Sequence, residues 1–214
     1  MSDAAQRDRA EALALIDVSR ETVERLDVYA GLLLRWQRML NLVSPTTLDA
    51  IWTRHILDSA QLVAFAPPAA RRWVDLGSGG GLPGLIVAAM AADRIGFETI
   101  LVESDQRKAA FLRSAAREMG LAERVDVRAA RAETAVADIV RADVVSARAL
   151  APLADLVRLS RPLLETGALG VYPKGESVRR ELTQWGPPDS FEVSLAPSRT
   201  PPSAAIVLIR MRAA

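Results

Sequence analysis

The chain of 214 residues contains no cysteine. Disulfide bonds, thiolate metal sites and any mechanism that begins with attack by a cysteine are therefore excluded. The chain also lacks a run of about 18 apolar residues, and residues 1–20 are charged and alanine-rich without the apolar core of a secretory signal. We therefore expect a soluble, cytoplasmic protein without a membrane span.

Aromatic residues, lysine and histidine are scarce. Phe, Trp and Tyr make up 5% of the chain, His55 is the only histidine, and Lys108 and Lys174 are the only lysines. No stripe of aromatic and basic side chains marks a surface for RNA, and a net charge of +1 does not predict nucleic-acid binding. The arginine excess suits phosphate and guanine recognition, but GC-rich coding also produces it, and we favour that explanation.

Composition and proline placement indicate how the chain is divided. Half of the residues are hydrophobic and a quarter are charged, which suits one α/β domain with a small appendage. Pro67-Pro68 separates two differently patterned regions. We expect residues 1–66 to form a helical extension packed on the core, and residues 67–214 to form the main domain of one monomeric globular unit.

The extension has the periodicity of helices. Apolar spacing predicts a long helix from an N-cap at Ser19 to near Asn41. A second helix, capped by Thr46 or Thr47, is predicted to continue to Val63.

After the extension, short β-rich runs alternate with helical runs. The predicted strands are 73–75, 99–102, 125–128, 142–146, 168–172, 192–195 and 205–210, and the predicted helices between them are 85–92, 106–119, 153–159 and 178–185. Such alternation predicts a largely parallel sheet covered on both faces. The last two strands have no helical pattern between them and should form an antiparallel pair at one edge. This outline is similar to the Rossmann-like class I S-adenosylmethionine-dependent methyltransferase fold.

Four glycines follow the first predicted strand, at positions 77, 79, 80 and 81. Glycine allows positive φ and close approach of a ligand, so the segment predicts a cofactor loop. Residues 79–84 also satisfy the dinucleotide pattern GxGxxG, a weak signal by itself. A carboxylate just before the glycines favours a sulfonium or ammonium ligand over a pyrophosphate. The candidate residues are Asp75, Gly77, Gly79, Gly81 and Leu82.

Other predicted strands end in polar residues that should meet this loop at one edge of the sheet. The second strand is followed by Glu103, Ser104 and Asp105. A carboxylate at Glu103 can accept hydrogen bonds from ribose hydroxyls, although Glu103 could instead cap the next helix.

Three further strand ends supply candidates. The third leads to Ala132 and Glu133, which could border an adenine, although Glu133 could instead be a helix N-terminal charge. The fourth leads to Arg148, which we consider functional because it leaves an apolar strand beside the cofactor loop. The fifth leads to Lys174, for which a solvated loop charge is an equal alternative.

A set of motifs spans nearly the whole chain. These motifs are residues 41–45 (NLVSP), 54–59 (RHILDS), the glycine loop, 103–108 (ESDQRK) with 111–112 (FL), 131–133 (RAE), 146–150 (SARAL) and 172–175 (YPKG). Together they resemble the RsmG family, also called GidB, although the glycine loop alone is shared with most class I methyltransferases. Many relatives have SRA where this chain has SARAL, and aspartate is often found where Glu103 stands.

The resemblance implies a function and a set of site residues. Members of this bacterial family use S-adenosylmethionine to methylate N7 of guanine 527 in 16S rRNA, so the expected partner is 16S rRNA or a small-subunit particle, without a metal. The matching cofactor-site positions are Gly77, Leu82, Ala132, Glu133 and Arg148.

The 54–59 motif resembles a family element that faces the active site. This makes Arg54, His55, Asp58 and Ser59 candidates for substrate binding, together with Lys174. No general base is needed, because the lone pair of guanine N7 is already free, so the enzyme mainly positions the reactants. His55, Arg54 and Lys174 are candidates to surround the guanine or its phosphates. A structural His55, satisfied by Asp58, is an equal alternative.

Three other functions remain open at this point. The first is a methyltransferase of the same fold with another RNA, protein or small-molecule acceptor, since fold does not determine the acceptor. The second is an NAD-dependent Rossmann protein, and the third is an RNA-binding module with a vestigial cofactor pocket.

Overall fold

The computed structural model describes residues 2–200 and 203–212. The N-terminal part is helical and comprises α1 Asp3–Leu13, α2 Arg20–Gln37, a 3-10 turn Pro45–Ala50, a π-helical turn Trp52–Leu57, α3 Asp58–Ala60 and a second 3-10 turn Gln61–Phe65. The following elements are β1 Arg72–Leu76, α4 Gly84–Met90, β2 Glu98–Val102, α5 Gln106–Glu118, β3 Val125–Arg128, α6 Ala132–Ala137, β4 Val144–Ala147, α7 Leu153–Glu165, β5 Leu169–Lys174, α8 Val178–Trp185, β6 Phe191–Pro197 and β7 Ala205–Met211.

The strands form one seven-stranded sheet in the order β3-β2-β1-β4-β5-β7-β6. The pairs among β1 to β5 are parallel, whereas β7 runs antiparallel to both β5 and β6. The predicted sheet and its antiparallel edge pair are therefore confirmed. Pro201-Pro202, in the sequence between the last two predicted strands, lies outside the described residues, as do Met1 and residues 213–214 of the predicted domain ranges.

The long helix of the extension begins as predicted and ends earlier. Ser19 Oγ accepts a hydrogen bond from the Thr22 N–H at 3.2 Å, so the predicted N-cap is confirmed. The helix ends at Gln37 and not near Asn41. The Gln37 side chain accepts from the N–H groups of Leu42 and Val43 and so satisfies a turn of the backbone there.

The second predicted helix is wrong in form and in its cap. Residues 45–65 are a succession of 3-10, π and α turns, and the Ser44 that precedes them makes no side-chain cap bond. The N–H groups of Trp52 and Thr53 donate instead to the Asp8 carboxylate of α1, at 2.8 and 3.1 Å. A cap that is distant in sequence leaves no local signal.

Three other helices differ from the prediction. Helices α1 and α6 were not predicted, and α7 continues to Glu165 with Pro162 inside it. Only Ala12 is buried in α1, and α6 has six residues, so neither shows a strong apolar period.

The extension shares a hydrophobic core with one face of the sheet. Leu26 and Leu33 of α2 belong to the same buried cluster as Leu85 of α4 and Phe111 of α5. A second cluster on the other face joins α6, α7 and α8 to the strands. This shared core supports the predicted single unit, although the division at residue 66 stays a prediction. Within the described ranges, no helix has the length and hydropathy needed to span a membrane.

Candidate active site

A cavity of about 1040 Å³ opens at the carboxyl ends of the strands. Pockets for one small ligand usually measure about 300–1,000 Å³, so this cavity lies at the upper end of that range. The predicted residues on its wall are Arg54, His55, Asp58, Gly77, Gly79, Leu82, Glu103, Ser104, Arg148 and Lys174. The predicted residues that are not on the wall are Ser59, Asp75, Gly81, Asp105, Ala132 and Glu133.

Several residues on the cavity wall were not among the candidate site residues predicted from the sequence. The missed segments include residues 41–45 and Thr47 of the extension, Lys108, Ala149 and Leu150, and the region around Ser177 and Glu181. The NLVSP motif belongs to the family resemblance, and this resemblance is the only indication in the sequence that residues 41–45 lie near the site.

The glycine loop adopts a backbone that favours glycine. Gly77 has φ +68°, and a Cβ there would lie 2.6 Å from Leu150. A Cβ on Gly84, at the start of α4, would overlap Leu101 and approach Asp75. The loop therefore requires glycine both for conformation and for close packing against the strands.

Asp75 faces the interior and not the cavity. It is fully buried, accepts from Ser146 Oγ at 2.7 Å, and accepts from the Gly84 N–H at 3.2 Å. Trp73 Nε1 donates in turn to Ser146 Oγ at 2.8 Å. Burial raises the pKa of Asp75 to about 6 against these hydrogen bonds. We predicted a carboxylate beside a cationic ligand; the structure corrects this, because Asp75 supports the loop from behind.

Glu103 joins the loop to the second strand. Its carboxylate accepts from the Gly79 N–H at 2.8 Å and from the Asp105 N–H at 2.7 Å. The residue that caps α5 is Asp105, whose carboxylate accepts from the N–H groups of Arg107 and Lys108. These hydrogen bonds lower the pKa of Asp105. Contact between Glu103 and ribose stays a prediction, whereas Asp105 is a helix cap off the cavity wall.

Ala132 and Glu133 form the first turn of α6. Glu133 is exposed and lies at a helix N-terminus, where a negative charge is favourable. This geometry matches the alternative that the sequence left open, and the adenine contact stays a prediction.

Arg148 is held by the RHILDS motif. One of its terminal nitrogens, Nη2, donates to His55 Nδ1 at 2.8 Å and to the Arg54 carbonyl at 3.3 Å, while Nε lies 3.5 Å from the Asp58 carboxylate. The other terminal nitrogen, Nη1, is buried without a hydrogen-bond partner among the described residues. The next residue, Ala149, has φ +54°, a strained conformation for a residue with a Cβ.

His55 is 5% exposed, and both of its ring nitrogens are hydrogen-bonded. Nε2 lies 2.7 Å from Thr47 Oγ1. Burial, followed by the charges of Arg148 and Arg54, lowers the pKa of His55 to about 4. Asp58 is not a hydrogen-bond partner of His55, because it contacts Arg148 and Gln61 instead.

Lys174 is paired. Its ammonium lies 2.7 Å from Glu181 and donates to the Ala151 carbonyl at 3.1 Å. Its charge therefore fixes the segment that follows Arg148. Ser59 is fully buried and away from the cavity wall, and its hydroxyl has no hydrogen-bond partner in the part of the chain that the structure describes.

A protein-family model matches residues 22–192 of the chain and is described as rRNA small subunit methyltransferase G (GidB). A relative of that name from Methylobacterium radiotolerans is 49% identical over 97% of this chain and 96% of its own. Another, from Parvibaculum lavamentivorans, is 45% identical over 92% of this chain and 86% of its own.

This chain belongs to the rRNA small subunit methyltransferase G family. Solved structures agree on the fold alone. A cofactor-bound protein from MTB is 17% identical with a TM-score of 0.66 over the full length of both chains. An O-methyltransferase from Bacillus cereus in complex with SAH is 16% identical with a TM-score of 0.61, covering 96% of this chain and 97% of the other.

Proposed function

We propose that this protein transfers the methyl group of S-adenosylmethionine to N7 of guanine 527 in 16S rRNA. The observation that carries the proposal is the cavity at the strand ends, in a chain that matches this family over most of its length. As part of the proposal, the protein acts as a cytoplasmic monomer on 16S rRNA or a small-subunit particle.

The residues present fit the cofactor. The glycine loop offers a close backbone approach, and Glu103 lines the cavity with a carboxylate suited to ribose hydroxyls. Arg148 Nη1 is a buried donor that lacks an acceptor among the described residues, and the cofactor's carboxylate would supply one. Gly77, Leu82 and Arg148 would therefore hold it at the wall, with Ala132 and Glu133 as predicted neighbours of the adenine.

For this reaction, the main task of the side chains is to position the cofactor and the guanine. When bound, S-adenosylmethionine supplies an electrophilic methyl group on a sulfonium sulfur. Guanine N7 carries a free lone pair, so no residue has to remove a proton. This agrees with the state of His55, whose nitrogens are both hydrogen-bonded and whose pKa is lowered. The protein holds the two reactants in line, about 3 to 3.5 Å apart, and excludes water.

A methyl-transfer assay tests the proposal. Radiolabelled S-adenosylmethionine is incubated with small subunits from a strain that lacks this modification, with naked 16S rRNA, and with subunits from a modified strain. Label should enter the unmodified rRNA and not the modified subunits. Label in protein or a small molecule would support another acceptor, and a thermal shift with NAD but not S-adenosylmethionine would support a dehydrogenase-like protein.

Replacing Arg148 provides the matched variants. Arg148→Ala should weaken cofactor binding at least about tenfold, because it removes a charged donor and leaves Asp58 without its cation. Arg148→Lys should retain part of the binding, since a lysine cannot reproduce the forked contacts. Wild-type affinity and turnover in Arg148→Ala would contradict the assignment.

A further inference from the structure

The hydrogen bonds around Arg148 run in one direction from the cavity into the N-terminal extension. An arginine side chain can only donate, so His55 Nδ1 is the acceptor of the 2.8 Å bond. In a neutral imidazole the other nitrogen then carries the hydrogen, and Nε2–H donates to Thr47 Oγ1 at 2.7 Å. The Thr47 hydroxyl in turn donates to the Ser44 carbonyl at 2.7 Å.

We call this series of hydrogen bonds, from Arg148 through His55 and Thr47 to the Ser44 carbonyl, the relay. The relay determines both the charge and the tautomer of His55. A protonated ring would present a second donor to a guanidinium that can accept nothing, and a neutral ring with its hydrogen on Nδ1 would do the same. Both alternatives put a hydrogen on Nδ1, so the bond from Arg148 excludes them. Thr47 stabilises the remaining tautomer, because its hydroxyl donates to a carbonyl and is left to accept from Nε2–H. The low exposure of His55 and the nearby charges of Arg148 and Arg54 also disfavour protonation, and they outweigh the opposite effect of the Asp58 carboxylate beside Arg148.

The relay restricts the guanidinium on two sides. Nη2 donates to His55 and to the Arg54 carbonyl, and Nε lies beside Asp58, so Nη1 remains as the end without a partner among residues 2–200 and 203–212. The groups that hold it lie on the π-helical turn and α3, both in the extension. An arginine fixed before binding loses less side-chain freedom when a ligand arrives.

We propose that Thr47 and His55 are positioning residues, which hold Arg148 in its binding orientation by fixing the Nε2–H tautomer of His55. The relay couples residues 44–58 of the extension to the cofactor end of the cavity. The inference rests on the proposed function in one respect, namely that Arg148 contacts S-adenosylmethionine.

Thr47→Val tests the relay while Arg148 and His55 themselves stay unchanged. Valine keeps the shape of threonine but offers no acceptor, so Nε2–H loses its hydrogen bond and the Nε2–H tautomer of His55 is no longer stabilised. The dissociation constant of S-adenosylmethionine, measured by calorimetry at pH 7, should rise about fivefold, which is the usual effect of one lost hydrogen bond. The KM for the cofactor should rise equally, while kcat at saturating cofactor should change less than about twofold.

Two controls accompany this variant. Thr47→Ser retains the hydroxyl and should bind within about twofold of wild type. Thr46→Val alters the exposed neighbouring hydroxyl, which is off the cavity wall, and should leave binding unchanged. If Thr47→Val fails to fold, His55→Asn and His55→Leu are compared instead. Asparagine keeps an acceptor near the position of Nδ1, so His55→Asn should bind S-adenosylmethionine about fivefold more tightly than His55→Leu.

Nitrogen NMR of the imidazole gives an independent readout, and its signals need no assignment because His55 is the only histidine. The wild-type protein at pH 7 should show a neutral ring with its hydrogen on Nε2. A hydrogen on Nδ1, or a charged ring, would overturn the inference, as would unchanged affinity in a folded Thr47→Val protein. If the proposed function fails and the inference holds, the variants still change cofactor affinity while no rRNA is methylated.

Discussion

Asp75 is the residue whose role changes most between sequence and structure. Its position before the glycines suggested a carboxylate aimed at a cation, but it is fully buried and bonded to Ser146 and the Gly84 N–H. Sequence position gives the end of a strand, whereas the face to which the side chain turns depends on the close packing that Gly84 permits.

The raised pKa of Asp75 predicts a pH-dependent stability. The folded protein binds a proton at Asp75 up to about pH 6, and the unfolded chain binds it only up to about pH 4. This group's stabilising contribution is therefore complete below about pH 4 and is lost as the pH rises through about 6, by roughly 2 to 3 kcal/mol. His55 acts in the opposite direction, because its pKa is lowered to about 4 and the unfolded chain binds more protons in that window.

Urea unfolding of wild type and Asp75→Asn between pH 4 and 6.5 checks this prediction. The stability advantage of the wild type over the variant should shrink as the pH rises, and the variant alone should gain stability with pH because His55 then dominates. Asp93→Asn, at an exposed aspartate, should follow the wild-type curve. A constant difference between wild type and Asp75→Asn would contradict the burial argument.

At the scale of elements, the first turn of α5 carries two cations directly after its Asp105 cap. Arg107 and Lys108 occupy this turn, no acidic residue does, and Lys108 lines the cavity. The Asp105 carboxylate at the cap offsets the unfavourable position of these cations at a helix N-terminus. Lys108 has no carboxylate partner within the described ranges. We predict that this cation on the cavity wall contributes to binding the phosphates of the RNA.

Lys108→Ala should therefore lower activity with little change in stability. We expect the free energy of unfolding to change by less than about 0.5 kcal/mol, with KM for the small subunit raised about fivefold because one phosphate contact is lost. Arg117→Ala is the matched control, since Arg117 is exposed in the last turn of the same helix. It should lose a little stability and keep wild-type methylation. A Lys108→Ala protein with wild-type activity at moderate salt would contradict this role.

The elements also differ in how far the sequence predicts them. The strands and α5 follow from strong local patterns, as does the Ser19 cap. The π-helical turn does not, because its free N–H groups are satisfied by Asp8 from α1. The residues of the cavity wall also differ in how well the sequence predicts them. The positions of Glu103 and Arg148 follow from the ends of predicted strands. The contact of Thr47 with His55 and the pairing of Lys174 with Glu181 depend on how separate segments pack together.

At the scale of the whole molecule, the extension forms part of the wall of the candidate active site. It shares a core with α4 and α5, and Tyr29 of α2 donates to the Gly80 carbonyl of the glycine loop at 2.7 Å. Residues 41–45 and Thr47 complete the wall, and the RHILDS motif holds Arg148. The strand ends thus supply the residues proposed to hold the cofactor, and the extension encloses another side of the same cavity.

The most direct test of this account is mapping of N7-methylguanine in 16S rRNA by borohydride and aniline cleavage followed by primer extension. The rRNA comes from a bacterial host that lacks its own enzyme of this family and expresses either this chain or Arg148→Ala. We expect cleavage at guanine 527 with the wild-type chain and much weaker cleavage with the variant. Absence of cleavage at guanine 527, with the wild-type protein folded and expressed, would contradict it.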